Sequence, residues 1–501
     1  MARLPRLSSR ARALLAAALL PGALAGCRLG PDYQQPEMTM PQMWRQEAPQ
    51  GPTASDTAWW DLFQDDTMRE LVTIALNENK DLGIAAARVA EARARYGFTH
   101  ADQFPVVNLG IDALRFRTSE QVADTPGGGD TNNFFSGRID AFYEVDLWGK
   151  YRRASEAARA ELLQSEMARQ TVVLSLVSDV ATAYVDLLDF DNRLAIARTT
   201  LEARTDYLRI ITARFDKGVV SALDVRQAEI QQSIAAAAIP QFERQIAETE
   251  DRIRILLGRF PGDVPRGRSL YDAILPPDIP GGLTSDLLVR RPDVQSAEAS
   301  LVAANARIGV AEAQRFPLIA LTGSLGAASS DLSDITKGGA GTWSLGASLL
   351  QPLFNFGKNK RRVEIARAQT VQAVYFYEGS VQQAFREVED ALAAVRTSKA
   401  QVAAYELQVK AARSALSLST ARYDQGVTSY LEVLVQQTQA FDAELAASLA
   451  RREQLAAVIR LYAALGGGWG LEASVPAEPA ATEGSLPAPG GAPAPPATGS
   501  R

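Results

Sequence analysis

Arg214–Val225 reads RFDKGVVSALDV, and Arg422–Val433 reads RYDQGVTSYLEV. Each copy places a glycine, Gly218 or Gly426, two residues after an aspartate, Asp216 or Asp424, inside long helical sequence. Glycine at such a place takes the left-handed conformation that ends a helix, so each copy reads as the tip of a helical hairpin. The copies lie 208 residues apart, and the same offset lays DLWGK (Asp146–Lys150) on FNFGK (Phe354–Lys358) and Gly258 on Gly466. Upstream, ARYG (Ala94–Gly97) and QFP (Gln103–Pro105) match ARIG (Ala306–Gly309) and RFP (Arg315–Pro317) at an offset of 212. The chain is an internal duplication with a short length change between the marks. Two copies are too few for a solenoid, which needs about three.

Each tip follows an unusually long helical stretch. Lys150–Arg214 contains no Gly or Pro, and Lys358–Arg422 contains only Gly379. At 1.5 Å per residue each spans about 96 Å. Leu163, Met167, Leu174, Val177, Ala181, Tyr184 and Leu188 keep the three-and-four spacing of a coiled-coil seam. Past the tips, Ser221–Leu257 and Ser429–Leu465 read as shorter return helices, the first with a kink expected at Pro240. Leu434, Phe441, Leu445 and Leu449 continue the apolar stripe. These stripes read as packing.

Ahead of each long helix the period changes to two. Val107, Leu109, Ile111 and Ala113 alternate with Asn108, Gly110 and Asp112. In Ser136–Trp148 one face is Ile139, Ala141, Tyr143, Val145 and Leu147, and the other is Ser136, Arg138, Asp140, Phe142, Glu144, Asp146 and Trp148. Between them, Ser119–Asn133 is a polar loop. The second copy alternates Ile319, Leu321, Gly323 and Leu325 with Ala320, Thr322 and Ser324, then Trp343, Leu345, Ala347 and Leu349 with Ser344, Gly346 and Ser348. Each run has about the ten residues a transmembrane β-strand needs, with aromatics (Phe104, Trp148, Phe316, Trp343, Phe354, Phe356) near the ends. Two hairpins of a soluble sheet are the alternative. Four strands cannot close a barrel in lipid, where an open edge leaves backbone groups unpaired, so strands placed in a membrane require several chains to share one barrel.

The 501-residue chain holds one Cys and one His, which leaves almost nothing from which to build a catalytic triad, a His-based metal site or a disulfide framework. His100 reads as a polar residue near a helix end. No carboxylate pair stands out, and the expectation is no enzyme and no cofactor. Formal net charge is −6; without Arg3, Arg6, Arg10 and Arg12 of a removable leader it is −10, which disfavours nucleic acid as a partner. Those arginines precede the apolar run Ala13–Leu24, the pattern of a secretory signal. The run ends in Leu24-Ala25-Gly26-Cys27, with the chain's single Cys at the last position. This string resembles the bacterial lipobox, in which Cys27 receives the lipid; a soluble periplasmic protein cleaved by the ordinary peptidase is the alternative. Arg28 rather than Asp after the Cys leans towards the outer membrane.

The resulting organisation is a signal peptide over 1–26, a lipid-anchored extended arm over 27–58 and a first repeat over 59–261, with a β-hairpin over 104–148 and a tip near 214–220. A Pro- and Gly-rich linker over 262–292 leads to a second repeat over 293–468, with a β-hairpin over 316–356 and a tip near 422–428. The Ala, Pro, Gly and Ser tail over 469–501 is expected to be disordered.

Gly30-Pro31-Asp32-Tyr33 after the lipobox, DLWGK at Asp146–Lys150, Arg290-Arg291-Pro292-Asp293-Val294 and RYDQG…LEV at Arg422–Val433 together resemble the outer membrane factor family, the TolC-like efflux lipoproteins of NodT/OprM type. The resemblance covers about Cys27–Gly466. It implies an α+β membrane protein: a trimeric β-barrel with four strands per protomer, continued by a long α-helical coiled-coil periplasmic tunnel. It implies a homotrimer in the outer membrane of a Gram-negative bacterium, partnered by an inner-membrane pump of RND type and by a periplasmic adaptor that docks on the tips. The matching tip residues are Arg214, Asp216, Gly218, Arg422, Asp424 and Gly426. It also implies a periplasmic aperture at Leu431, Glu432 and Val435, where relatives often carry Asp at the last position. Arg138, Asp140, Glu144 and Asp146 fall on the face expected to line the barrel lumen, with carboxylates in excess. The implied function is the exit duct of a tripartite efflux system for drugs or other small toxic compounds. Protein (type I) secretion in the same fold and a pore-less trimeric surface lipoprotein are the alternatives.

Overall fold

The computed structural model describes residues 28–45, 59–117, 119, 121, 131–275 and 287–467. The signal peptide, Cys27, residues 46–58 of the arm, 122–130 of the polar loop, 276–286 of the linker and the tail lie outside the described residues.

After a 3-10 turn at Trp59–Phe63 come α1 (Asp66–Glu78), α2 (Lys80–Ala101), β1 (Val106–Arg117), β2 (Thr131–Glu144), α3 (Lys150–Asp216) and α4 (Ala222–Leu256). A single turn, α5 (Leu287–Arg290), leads into α6 (Pro292–Ala313), β3 (Leu318–Ser329), β4 (Gly341–Leu350), α7 (Lys358–Asp424) and α8 (Tyr430–Ala464). The duplication is written in the lengths. α3 and α7 have 67 residues each, α4 and α8 have 35 each, and α2 and α6 have 22 each. Gly149 and Gly357, Gly218 and Gly426, and Gly258 and Gly466 all take φ between 71° and 79°.

At the tips the glycines close the same pair of bonds. Gly218 N–H donates to Phe215 O (2.8 Å) and Val219 N–H to Arg214 O (2.9 Å); Gly426 and Val427 repeat this on Tyr423 and Arg422, at 2.9 Å each. That is the bonding of a Schellman stop, which satisfies carbonyls the ending helix would leave bare. The helix restarts differ. Ser221 and Asp224 form a reciprocal capping box, whereas Ser429 makes no side-chain cap bond.

The chain divides into two compact units. The first takes residues up to 43, 87–171 and 283–387 and contains the sheet. Its strands run antiparallel in the order β1-β2-β3-β4, so the two hairpins join through β2 and β3. The strands exceed the expected runs: β1 extends to Arg117 and β2 begins at Thr131, because Leu114 pairs with Phe134 and Phe116 with Asn132 beyond the point where alternation fades. At its other end β2 stops at Glu144, so Asp146 and Trp148 leave the expected strand. Alongside, α6 buries a stripe of small side chains including Ala297, Ala303 and Ala306, and Ile308 and Ala311 pack on Val363 and Ala366 of α7.

The second unit takes residues 44–86, 172–282 and those from 388 onward. Val177, Ala181, Tyr184 and Leu188 of the expected seam are buried here, and Leu194 and Ala197 of α3 pack with Phe242 of α4 and Phe441 of α8. In the first unit, Leu163 of the same seam is exposed. Pro240 lies inside α4 without ending it. The described part of the linker is pinned rather than loose. Asp65 caps α1 and accepts the Tyr184 hydroxyl (3.1 Å), which itself accepts Gly267 N–H (2.9 Å), and Arg266 pairs with Asp191 (2.9 Å). His100 sits in the last turn of α2 between the rings of Tyr96 and Phe104.

Candidate functional site: a two-faced sheet and a paired helical tip

Register assigns every strand residue to one of two faces, because directly paired residues share a side and neighbours alternate. One face carries the rows Val107–Ala141–Gly323–Leu345 and Leu109–Ile139–Leu325–Trp343. Its large side chains stand bare: Leu109 is 72% exposed, Trp343 80% and Leu345 82%. The other face carries Asn108–Asp140–Ser324–Ser344 and Gly110–Arg138–Gly326–Thr342. A bare apolar face opposite a polar one is the pattern of a strand between lipid and a water-filled lumen.

On the polar face Arg138 is held between two carboxylates, Asp112 (3.1 Å) and Asp140 (2.9 Å), and the Ser136 hydroxyl donates to Asp112 (3.0 Å). Asp112 was absent from the expected lumen set. The β1–β2 register pairs it with Ser136, one row from Arg138, and only its polar place in the β1 alternation hinted at this. Two expected lumen residues do other work. Glu144, the last residue of β2, accepts from Lys150 (2.8 Å) and the Tyr151 hydroxyl (2.7 Å). Burial and this carboxylate raise the Tyr151 pKa. Asp146 lies beyond the strand, and its carboxylate accepts the Tyr151 (3.2 Å) and Arg152 (2.9 Å) N–H groups at the start of α3. The period of two continues through Leu147 in the sequence, but the free N–H groups of a starting helix draw the Asp146 carboxylate away.

In the second unit the tip sequences of the two repeats meet. Arg214 pairs with Asp424 (2.9 Å) and lies over the Tyr423 ring (5.1 Å). Tyr207 stacks on Tyr430 with centroids 5.5 Å apart, and burial pushes the pKa of both phenols up. Ile211, Ala228, Val433 and Leu434 complete this apolar plug. On the opposite side of the α8 start, Leu431 is 58% exposed and Val435 44%. Glu432 lies between them in sequence, accepts from the Thr428 hydroxyl and faces Arg422 at 3.8 Å. Of the expected tip residues, Arg214 and Asp424 pair with each other and Arg422 faces Glu432, whereas Gly218 and Gly426 act through the backbone alone. Asp216 is the last residue of α3.

A four-stranded sheet with a lipid-type face, both edges open, and two helices of about 100 Å that turn back at paired tips define an outer-membrane channel protomer. The family model for outer membrane efflux proteins matches residues 71–259 and 283–467, and the chain belongs to this family. It is 37% identical over 459 residues to the solvent efflux pump outer membrane protein SrpC of Pseudomonas putida, covering 89% of this chain and 96% of that one. It is 33% identical over 452 residues to the cation efflux system protein CusC of Escherichia coli O157:H7, covering 89% and 97%. Among solved structures, the CmeC outer membrane channel of Campylobacter jejuni superposes with a TM-score of 0.84 at 25% identity, over 90% of this chain and 98% of that one. The fold is the trimeric channel of this family, with four barrel strands from each protomer and a long helical tunnel. The protein is an outer-membrane efflux duct, of a family of channels rather than of enzymes.

Proposed function

We propose that this duct carries small toxic compounds, organic solvents and drugs foremost, from the periplasm to the outside as the passive outer component of a tripartite pump. The observation that carries this reading is the sheet with one bare apolar face and two open edges. β1 of one protomer pairs with β4 of the next, which removes every unpaired edge from lipid and encloses the polar face as a lumen. The relatives are named for solvent and cation efflux, and neither name by itself dictates the cargo of this chain. An inner-membrane pump of RND type supplies the energy, and a periplasmic adaptor docks around Arg214–Val220 and Arg422–Thr428. Asp216 and Lys217 at the first tip and Gln425 at the second are exposed for such contact. Cys27 carries the lipid, which acts with the barrel as a second membrane attachment.

Deleting the gene raises accumulation of fluorescent efflux substrates and leaves the secreted proteins unchanged. Unchanged accumulation with a secreted protein missing transfers the channel to type I secretion.

Each protomer contributes two carboxylates, Asp112 and Asp140, against one guanidinium, Arg138, on the lumen face. The open channel therefore prefers cations modestly. In bilayers under a salt gradient, Arg138→Gln moves the reversal potential further towards the cation limit, and Asp140→Asn moves it back. An anion-selective wild type rejects this assignment of the face.

A further inference from the structure

Arg153, early in α3, has a side chain only 1% exposed. Its Nε donates to Leu29 O (3.0 Å), and Nη2 donates to Gly30 O (3.0 Å) and to Asp32 Oδ1 (2.8 Å). The remaining contact, from Nη1, goes to Glu156 (3.0 Å) on the same helix. Most of the hydrogen bonds of a buried, permanently charged group are therefore supplied by the N-terminal arm.

The arm also fits sterically. Gly30 takes φ +87°, and a Cβ there would sit 2.5 Å from the Gly309 Cα of α6. A Cβ on Gly309 would meet Leu29 O at 2.5 Å and Arg153 Cγ at 2.8 Å. Two backbones thus cross with no room for a side chain on either, beside the guanidinium. Around this crossing, Asn305 donates to Pro31 O (3.0 Å), Tyr33 to Glu298 (2.9 Å) and Gln35 to the Tyr377 hydroxyl (2.9 Å).

The place of the crossing matters. Leu29 N–H reaches Trp148 O (3.4 Å), just past the end of β2. Trp148 in turn stacks on Phe316 (4.7 Å between centroids) and donates to Pro317 O (2.8 Å), immediately before β3. Arg28, whose Cα lies 3.2 Å from where a Gly149 Cβ would stand, is therefore held at the base of the strands.

We infer that Arg153, Gly309 and Asn305 form a receptor for the chain's own segment Leu29–Asp32, and that Arg153 is a positioning residue holding Arg28 at the base of the barrel strands. Resting on the lipid reading above, this makes the arm a fixed mount: the acyl group enters the membrane beside the strand ends of its own protomer. The first repeat carries Arg153, while the matching position of the second, Arg361, is exposed and pairs with Glu364. One dock serves one arm.

The bond after Arg28 is a trypsin site, and its cleavage would cut the anchor from the channel. In the intact purified trimer, the docked arm protects it. Arg153→Ala speeds cleavage after Arg28 about tenfold, the effect of losing charge-assisted hydrogen bonds, with Arg153→Lys in between because one ammonium cannot replace the fork. Gly309→Leu does the same from the other side with the arginine in place. Asp32→Ala, on an exposed residue, gives a smaller increase and keeps the trimer assembled should the others fail to fold. Cleavage unchanged in Asp32→Ala and in whichever of the other variants assembles overturns the receptor. Maleimide labelling of Cys27 in the wild type reports separately on the lipid: a free thiol there removes the lipid reading, while the protection of Arg28 still decides the dock.

Discussion

Replacing Leu431, Glu432 and Val435 together by alanine raises the resting conductance of the channel in planar bilayers severalfold. The split of the first turns of α8 carries this expectation. Val433 and Leu434 are buried in the tip plug with Tyr207 and Tyr430, so they already pack their own protomer. Leu431 and Val435, one turn apart on the other side, have no such role and stand exposed. Around a three-fold axis they would meet their copies and form an apolar constriction, which resists water and ions more than its width alone would. Glu432 is expected to add less than a free carboxylate ring, since Thr428 and Arg422 of the same protomer engage it. An unchanged conductance in the triple variant removes the aperture from this turn.

Gly326→Ala prevents the assembled, heat-resistant trimer from forming, whereas Gly323→Ala leaves it intact. The two glycines lie three residues apart in β3 and on opposite faces of the sheet. A Cβ at Gly326 would stand 2.3 Å from Gly137 O and 2.7 Å from Arg138 Cα, both backbone atoms of β2. A side-chain tip could rotate away from such a contact, but a ladder strand cannot move without opening its bonds to both neighbours. The penalty is at least the ~1–3 kcal/mol of an overpacked core site. β2 and β3 are also the strands that join the two repeats, so a loosened pair leaves two hairpins with four edges in place of one sheet with two. At Gly323 an added Cβ meets only Leu345 Cδ1 at 3.9 Å, an ordinary contact. Gel mobility of unheated membranes separates the outcomes, and an assembled Gly326→Ala trimer contradicts the β2–β3 register.

The ion pair between Arg214 and Asp424 joins the two tips but lies partly in water, with side chains 31% and 53% exposed. Such pairs contribute roughly 0–1 kcal/mol. The tyrosine and aliphatic plug beneath it is therefore the main bond between the repeats at this end.

Local chemistry was enough for the parts whose cause is local. The glycine two residues after an aspartate, repeated 208 residues on, announced both helical tips, and the structure closes both with the same Schellman bonds. The long runs without Pro, broken by no glycine but Gly379, announced α3 and α7, and the period of two announced four strands with one apolar face. Those signals need only neighbours along the chain. Tertiary structure decided what depends on residues far apart in sequence. Register, not alternation, brought Asp112 to Arg138, because a charge finds its partner across the ladder. Geometry at the strand-to-helix corner took Asp146 from the expected lumen, because four bare N–H groups at a helix start attract a carboxylate more strongly than the alternation orders it. The pairing of β2 with β3 made one sheet of two hairpins. Arg153 shows the division most plainly. In sequence it is one of two adjacent arginines at the start of a charged helix, and only the fold buries it and lays the N-terminal arm across it.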